Sequence, residues 1–383
     1  MKKIAIITTH PIQYQIPLFK NLKKKNIIPH VFFASKHGLN SKDKDREFGI
    51  KFNWDLDQNI LEGYKYFFSK NQKYSIESFR LSFNNLEKFF KKNRYDALLF
   101  FGWNKIIYLK SFFIAKKLGI KTILRVETNL NSKIFFIKKL LKFFLLTIFF
   151  KFIDYFIYIG KLNKEFYIKH RVPPKKLFYA PYFVDNIFFD KKNFDKNKLK
   201  KKYNLNYKKI VLFVGKFIER KKPINFLNIA KKFKKKKNIH FLMIGSGVLI
   251  DKCKFYLKKN NLNNVSIIGF QNQKQLREYY LISDVLILPS EYETWGLVIN
   301  EAMASGMPVI STNQCGGTVD LVKNNNTGFS YDKNDSKTLF NRLNILLKND
   351  QKVKKIKKNI KLHISKFTYE TTINSLNKII YGQ

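Results

Sequence analysis

Two glutamates eight positions apart, Glu293 and Glu301, stand on either side of Trp295-Gly296 in the stretch LILPSEYETWGLVINEAMASGMPVIST, 286–312. DVLILPS reads as a buried parallel strand, EYETWG as the loop that leaves it, and LVINEAMAS as a helix closed by Gly306 with Pro308 two residues on. Glu293 therefore falls in a loop at the carboxyl end of a strand, and Glu301 little more than one turn into the helix. Ligands of open parallel sheets sit outside the carboxyl ends of the strands. A helix that begins near Gly296 turns its unpaired N–H groups and positive dipole end to the same place, which suits phosphate oxygens. Carboxylates beside such an end can accept hydrogen bonds from hydroxyls, which suits a ligand carrying both hydroxyls and phosphate, and a nucleotide sugar is such a ligand. Taken singly, each glutamate has a plainer reading, as a solvated loop acid or as a helix-dipole partner. Their spacing, the Trp-Gly and the helix position together favour a site.

Glu293-TWGLVIN-Glu301, framed by EAMASGMPVIST, resembles the E-x7-E signature of family 4 of the retaining glycosyltransferases, which have the GT-B fold. The resemblance implies that Glu293 contacts the donor's sugar hydroxyls and Glu301 the nucleotide ribose. It further implies that the backbone of Thr294, Trp295, Gly296 and Leu297 holds donor phosphate. The family's Gly-Arg followed some five residues later by Lys is matched in VGKFIERKKP (214–223) by Gly215, Lys216 and Lys221. Lys216 stands where arginine is commoner, which loses the bidentate fork and keeps the point charge; Arg220 is placed to supply the fork. IGSG (244–247) and IIGFQ (267–271) lie where the family has a glycine loop and a nucleobase-contacting segment, adding Gly245 and Phe270 to the donor candidates. Gly245 and Gly247 read equally well as ordinary turn residues, and Gln271 reads better as a strand end.

The amino-terminal half resembles one subset of the family through THPIQYQIPLF, DREFGIKFNWD with LEGY, FFGW and LRVET. His10, Gln13, Arg125 and Glu127 are its acceptor or cleft candidates, with a structural loop role equally open for His10. Relatives carry a histidine near Arg125 and Glu127 that this sequence lacks, so that role is not carried over. By resemblance, the acceptor hydroxyl attacks from the face the diphosphate leaves, and a leaving-group oxygen takes its proton. No protein nucleophile is then required. Glu293, Lys216 and Lys221 carry the catalysis, the nucleotide-diphosphate sugar is a co-substrate, and no cofactor or metal is expected, since no Asp-x-Asp stands beside the phosphate segments.

The elements that must position these residues alternate. KIAIITT, HVFFAS (30–35), DALLFFGW (96–103), KTILRVE (121–127) and DYFIYIG (154–160) read as strands separated by helical patterns. After a polar stretch the pattern restarts with KKIVLFVGK (208–216), NIHFLMIG (238–245), VSIIGF (265–270), DVLILPS and MPVIST (307–312). The expected fold class is α/β, GT-B, with two Rossmann-like parallel-sheet domains facing a central cleft. The expected boundaries are 1–185, a linker at 186–207, and 208–365, with a terminal helix at 366–383 that by resemblance packs back on the first domain.

One segment, 132–160, is rich in Phe, Leu and Ile, yet its longest uncharged run, Phe143 to Phe150, is eight residues, far below the ~20 that span a bilayer. Lys133, Lys138, Lys139, Lys142 and Lys151 interrupt it, the composition of an interfacial helix on an anionic membrane over 132–152. A Phe-rich core helix is the alternative. The net charge of +47 either collects anionic partners or reflects a lysine-rich composition, and lysine is scattered along the whole chain. Aromatic residues lie in apolar runs rather than among basic ones, which argues against a nucleic-acid-binding module. Another sugar-nucleotide enzyme of the same fold, such as an epimerase, is the nearer alternative. Cys253 and Cys315 have no metal-ligand spacing and read as buried small residues. The amino-terminal apolar stretch is too short for a signal-peptide core. The expected place is cytoplasmic, on the inner face of the membrane.

Overall fold

A computed structural model describes residues 1–39, 60–70, 75–131, 136–190 and 194–382. The chain divides into two units, residues 1–43, 56–182 and 368–383 forming one and residues 44–55 and 183–367 the other. The DREFGIKFNWD segment and Lys133 lie outside the described residues, as do the side chains of Lys138 and Lys139.

The first unit is built on a seven-stranded sheet of order β3-β2-β1-β4-β5-β6-β7. Its strands are β1 (Lys2–Thr8), β2 (Ile27–Phe33), β3 (Lys65–Phe68), β4 (Ala97–Phe100), β5 (Lys121–Arg125), β6 (Tyr155–Tyr158) and β7 (Leu177–Tyr179). The second has six strands of order β10-β9-β8-β11-β12-β13: β8 (Lys209–Val214), β9 (Ile239–Ile244), β10 (Val265–Ile268), β11 (Val285–Leu288), β12 (Val309–Thr312) and β13 (Gly328–Tyr331). Every pairing is parallel. Helices cover the sheets, so the central strands are buried on both faces and read as unbroken apolar runs. Ile4 through Ile7 and Ile210 through Phe213 have no exposed surface.

Three strands, β3, β7 and β13, are absent from the sequence-based expectation, and all three are sheet edges. An edge strand has a neighbour on one side only. None of the four residues of KYFF or the three of LFY is buried, so the apolar run that marks an inner strand never forms. Residues 186–207, expected as a linker, instead carry two helices of the second unit, Asn186–Phe189 and Lys196–Lys202. Each starts at an aspartate whose carboxylate caps free N–H groups: Asp185 accepts from Phe188 N, and Asp195 from Asn197 N and Lys198 N. Phe189 is then buried against Tyr280, ring centroids 5.9 Å apart. The helix Tyr369–Tyr381 belongs to the first unit, where Ser375 donates to Tyr179 O and the Tyr381 hydroxyl to Asn26 O.

Residues Phe136–Lys151 form one helix with two unlike faces. Leu146 and Phe150 are buried in the core, Phe150 packing edge-on to Phe156 at 5.3 Å. Leu140, Leu141, Phe144, Leu145 and Ile148, followed by Phe152, are each 49–62% exposed. No described helix is long and apolar enough to cross a membrane.

Candidate functional site

In each sheet the chain reverses its direction of winding between two adjacent inner strands, β1 and β4 in the first, β8 and β11 in the second. A crevice opens outside the carboxyl ends at such a point. In the second unit these ends deliver Gly215-Lys216 from β8 and the loop 289–296 from β11.

Beyond β8 the backbone is packed too tightly for side chains. Gly245, which follows β9, has φ +140°, and a Cβ there would stand 2.0 Å from Gly215 O. The chain then makes a 3-10 turn over Glu219–Lys221. Lys221 folds back so that its stem passes 3.7 Å from the position a Gly215 Cβ would take. The turn is stitched to the β11 loop: Glu291 N donates to Arg220 O at 2.8 Å, Arg220 Nη1 to Tyr292 O at 3.1 Å, and Lys222 pairs with Glu291 at 3.0 Å.

Glu293 is the centre of this junction and is 6% exposed. Its Oε2 accepts from Arg220 Nη1 at 2.7 Å. Its Oε1 accepts from Ser290 Oγ at 2.9 Å and is ion-paired with Lys221 Nζ. Burial alone would raise the carboxyl; the charges of Lys221 and Arg220 and the hydrogen bonds from Lys221 and Ser290 outweigh it and hold Glu293 below the ordinary carboxylate range. The backbone is fixed as well, Glu293 bridging in parallel to Cys315, with Gly316 N donating to Glu293 O at 3.2 Å.

The following helix, Leu297–Ala304, starts at Gly296 in the left-handed region, φ 95°, a conformation that L side chains seldom adopt. Trp295 is 2% exposed and donates Nε1–H to Asn300 Oδ1 at 2.7 Å, so its ring serves as the core wedge under the helix start. Glu301 is 3% exposed, and its Oε2 accepts from the Tyr280 hydroxyl at 2.6 Å. Thr294, Leu297 and Phe270 are half-buried. The expected candidates of the second unit thus lie at or just beyond the ends of β8, β9, β10 and β11, with Trp295, Glu301 and Glu293 buried.

In the first unit the candidates lie at the ends of β1 and β5. The His10 Nδ1 is 2.8 Å from Thr9 Oγ1, and its ring meets His37 edge-on at 5.4 Å. Burial, with His37 and Lys105 nearby, pulls His10 down to about 4, so it is neutral at pH 7. Gln13 buries its Oε1 with no hydrogen-bond partner among the described residues. Arg125 is 4% exposed and lies over the rings of Phe101 and Tyr182, at 5.7 and 5.1 Å. Burial lowers its guanidinium to about 10 against the opposing pull of Glu127, which is solvent-exposed. Cys253 and Cys315 are fully buried, and burial pushes both thiols up to about 12. Among the described residues no group of three or more His, Cys, Asp or Glu could hold a metal ion.

Residues 195–363 match the family model described as glycosyl transferases group 1. That match lies within the second unit. The chain is similar to an uncharacterized glycosyltransferase of Methanocaldococcus jannaschii, 28% identical over 44% of this chain and 46% of that protein. The chain therefore spans about half the length of that relative. It is also similar to an α-1,4-N-acetyl-D-galactosaminyltransferase of Campylobacter jejuni that acts on an undecaprenol-diphosphate-linked glycan, 27% identical over 66% of this chain and 67% of that one. Among solved structures it resembles Anabaena HepE in complex with UDP, TM-score 0.76 at 15% identity over the whole of both chains. A glycosyltransferase from Rickettsia africae matches with TM-score 0.74 at 19% identity, over 99% of this chain and 98% of that one. The fold of the chain is GT-B, with two parallel α/β units.

Within the second unit, sequence reasoning missed two residues that hold the glutamates. Ser290 has no exposed surface, donates to Glu293, and offers its carbonyl to Thr312 Oγ1 at 2.7 Å. Its place at the end of the apolar strand, three residues before Glu293, was an available signal. Tyr280 lies in the helix Gln273–Ile282 and reaches Glu301 across 21 positions of sequence, which no local pattern encodes.

Proposed function

We propose that the protein is a retaining glycosyltransferase that moves a sugar from a nucleotide-diphosphate donor to a glycan or lipid-linked acceptor in surface polysaccharide assembly. The observation that carries this reading is the cluster of Glu293, Arg220 and Lys221 at the switch point of the second sheet, where an acid that suits sugar hydroxyls adjoins cations that suit a diphosphate. Lys216, Lys221, Arg220 and the N–H groups at the start of helix Leu297–Ala304 would stabilise the charge that grows on the leaving diphosphate. Gly215, Gly245, Phe270, Thr294 to Leu297 and Glu301 complete the donor side. We assign His10, Gln13, Arg125 and Glu127 to the acceptor side, His10 as a neutral hydrogen-bonding group. With several cations at the site, the chemistry needs neither metal nor cofactor.

The UDP-bound HepE structure supports a nucleoside-diphosphate donor, and the Campylobacter relative supports a lipid-diphosphate-linked acceptor. The exposed apolar face of helix Phe136–Lys151, which ends at the exposed Lys151, supports peripheral contact with an anionic membrane, whereas Lys142 is half-buried over the Trp103 ring at 4.8 Å. The test is nucleotide release from a panel of nucleotide sugars with lipid-linked acceptors. Glu293→Ala should lower turnover at least about a hundredfold while the melting curve stays cooperative. Near-normal turnover would sink the assignment.

A further inference from the structure

Both carboxylate oxygens of Glu293 are engaged. Oε1 takes the Lys221 ammonium and the Ser290 hydroxyl, and Oε2 takes an Arg220 N–H. A carboxylate offers about four acceptor positions, so a sugar that presents two hydroxyls cannot be received while all three donors stay. Ser290 is immobile, with no exposed surface and its carbonyl held by Thr312. The donors that can leave are the two cations. Both belong to the 3-10 turn after β8, where Lys221 passes beside Gly215. Lys216, Arg220, Lys221 and Glu293 together carry a net charge of +2, which matches the two negative charges of a diphosphate diester.

We infer that Glu293 is closed in an ion-pair clamp with Lys221 and Arg220, and that the donor's diphosphate opens it by taking over both cations. The acid then becomes available to sugar hydroxyls only after the diphosphate is bound, which orders recognition and disfavours free monosaccharides. This rests on the donor site proposed above and adds to it a competition: Glu293 and the diphosphate are rivals for the same two cations. The depressed protonation range of Glu293 agrees with a carboxylate held charged by them.

Competition makes a prediction opposite in sign to simple contact. Inorganic pyrophosphate, which carries no base or sugar, is titrated calorimetrically into wild type, Lys221→Met, Arg220→Gln, Glu293→Gln and the double variant Arg220→Gln/Glu293→Gln. The clamp requires that Lys221→Met and Arg220→Gln bind pyrophosphate more weakly and that Glu293→Gln bind it about tenfold more tightly, because the rival anion is gone. In the double variant the net charge of the four positions returns to that of wild type. Its affinity should be at least that of wild type even though one cation has been deleted, which keeps the test alive should Glu293→Gln alone fold poorly. Weaker binding in the lysine and arginine variants with unchanged or weaker binding in both glutamine-293 variants would overturn the clamp and leave the donor site standing. Pyrophosphate binding that is absent, or indifferent to Lys221 and Arg220, would remove the donor site and the clamp together.

Discussion

Phe144 and Ile148 lie on the solvent face of helix Phe136–Lys151, 56% and 55% exposed, within a stripe that includes Leu140, Leu141, Leu145 and Phe152. Fully burying a side chain of this size is worth about 1.5–3 kcal/mol. Burying the exposed half of each in an acyl boundary gives roughly 0.8–1.7 kcal/mol per residue. Replacing both by serine should therefore cost about 2–3 kcal/mol of membrane affinity, a 30- to 150-fold weaker partition into liposomes. Because both side chains already face solvent, the melting temperature of the free protein should hardly move. The assay is co-sedimentation with vesicles containing anionic phospholipid, at two salt concentrations so that the lysine contribution is read separately. Unchanged partition with an unchanged melting temperature would refute the membrane reading of this face. A large loss of stability would mean that the stripe is covered by protein.

Tyr280→Phe removes the donor to Glu301 Oε2 from a buried site, and a lost hydrogen bond to a charged group costs about 1.5–3 kcal/mol. Thermal melting should register that loss, and the donor KM should rise if Glu301 reads the ribose; stability unaffected by the change would contradict the buried pair. His10, His30 and His170 of the first unit are each lowered to about 4, chiefly by burial; in the second unit His240 is lowered to about 4 and His363 is lowered too, again chiefly by burial. Folded values below the unfolded 6.5 mean that the unfolded chain binds protons first, so stability falls as pH drops below 6.5. At most this is about 4 kcal/mol per pH unit in the first unit against about 2.7 in the second. Hydrogen exchange at pH 5 should open the first unit before the second, and the reverse order would refute the assignment. Glu293 acts in a lower window: its stabilisation is present above the ordinary carboxylate value of 4.5 and is lost as pH falls through its depressed folded value. The melting-temperature gap between wild type and Glu293→Gln should be flat above about pH 5.5 and narrow below 4.5. Transfer activity should survive EDTA, and its loss with recovery on adding a divalent cation would require a metal in the site.

The central sheet strands were legible because a parallel strand buried on both faces must be an apolar run, as in IVLFV and VLIL. The edge strands β3 and β7 were not, since KYFF and LFY bury no residue and differ little from loop, whereas the edge strand β10 was read from VSIIGF. Capped short helices were equally hidden, Lys196–Lys202 being so lysine-rich that only Asp195 at its start distinguishes it from a tether. For the site, strand ends and glycines located the residues, but the partners of the glutamates depended on tertiary placement. The sequence suggested Arg220 and Lys221 as phosphate ligands; their contact with Glu293 follows from the stitching of two loops separated by some seventy positions. Glu301 illustrates the same limit, since its helical position is plain but its burial under Tyr280 is not.

The close approach of Gly245 to the Gly215 carbonyl has an evolutionary consequence. With 2.0 Å between that oxygen and any added methyl, the floor of the proposed donor site is main chain that mutation can scarcely reshape. New donor preferences would have to arise at half-buried positions around it, such as Phe270 and Thr294, which can change size or polarity without disturbing the frame.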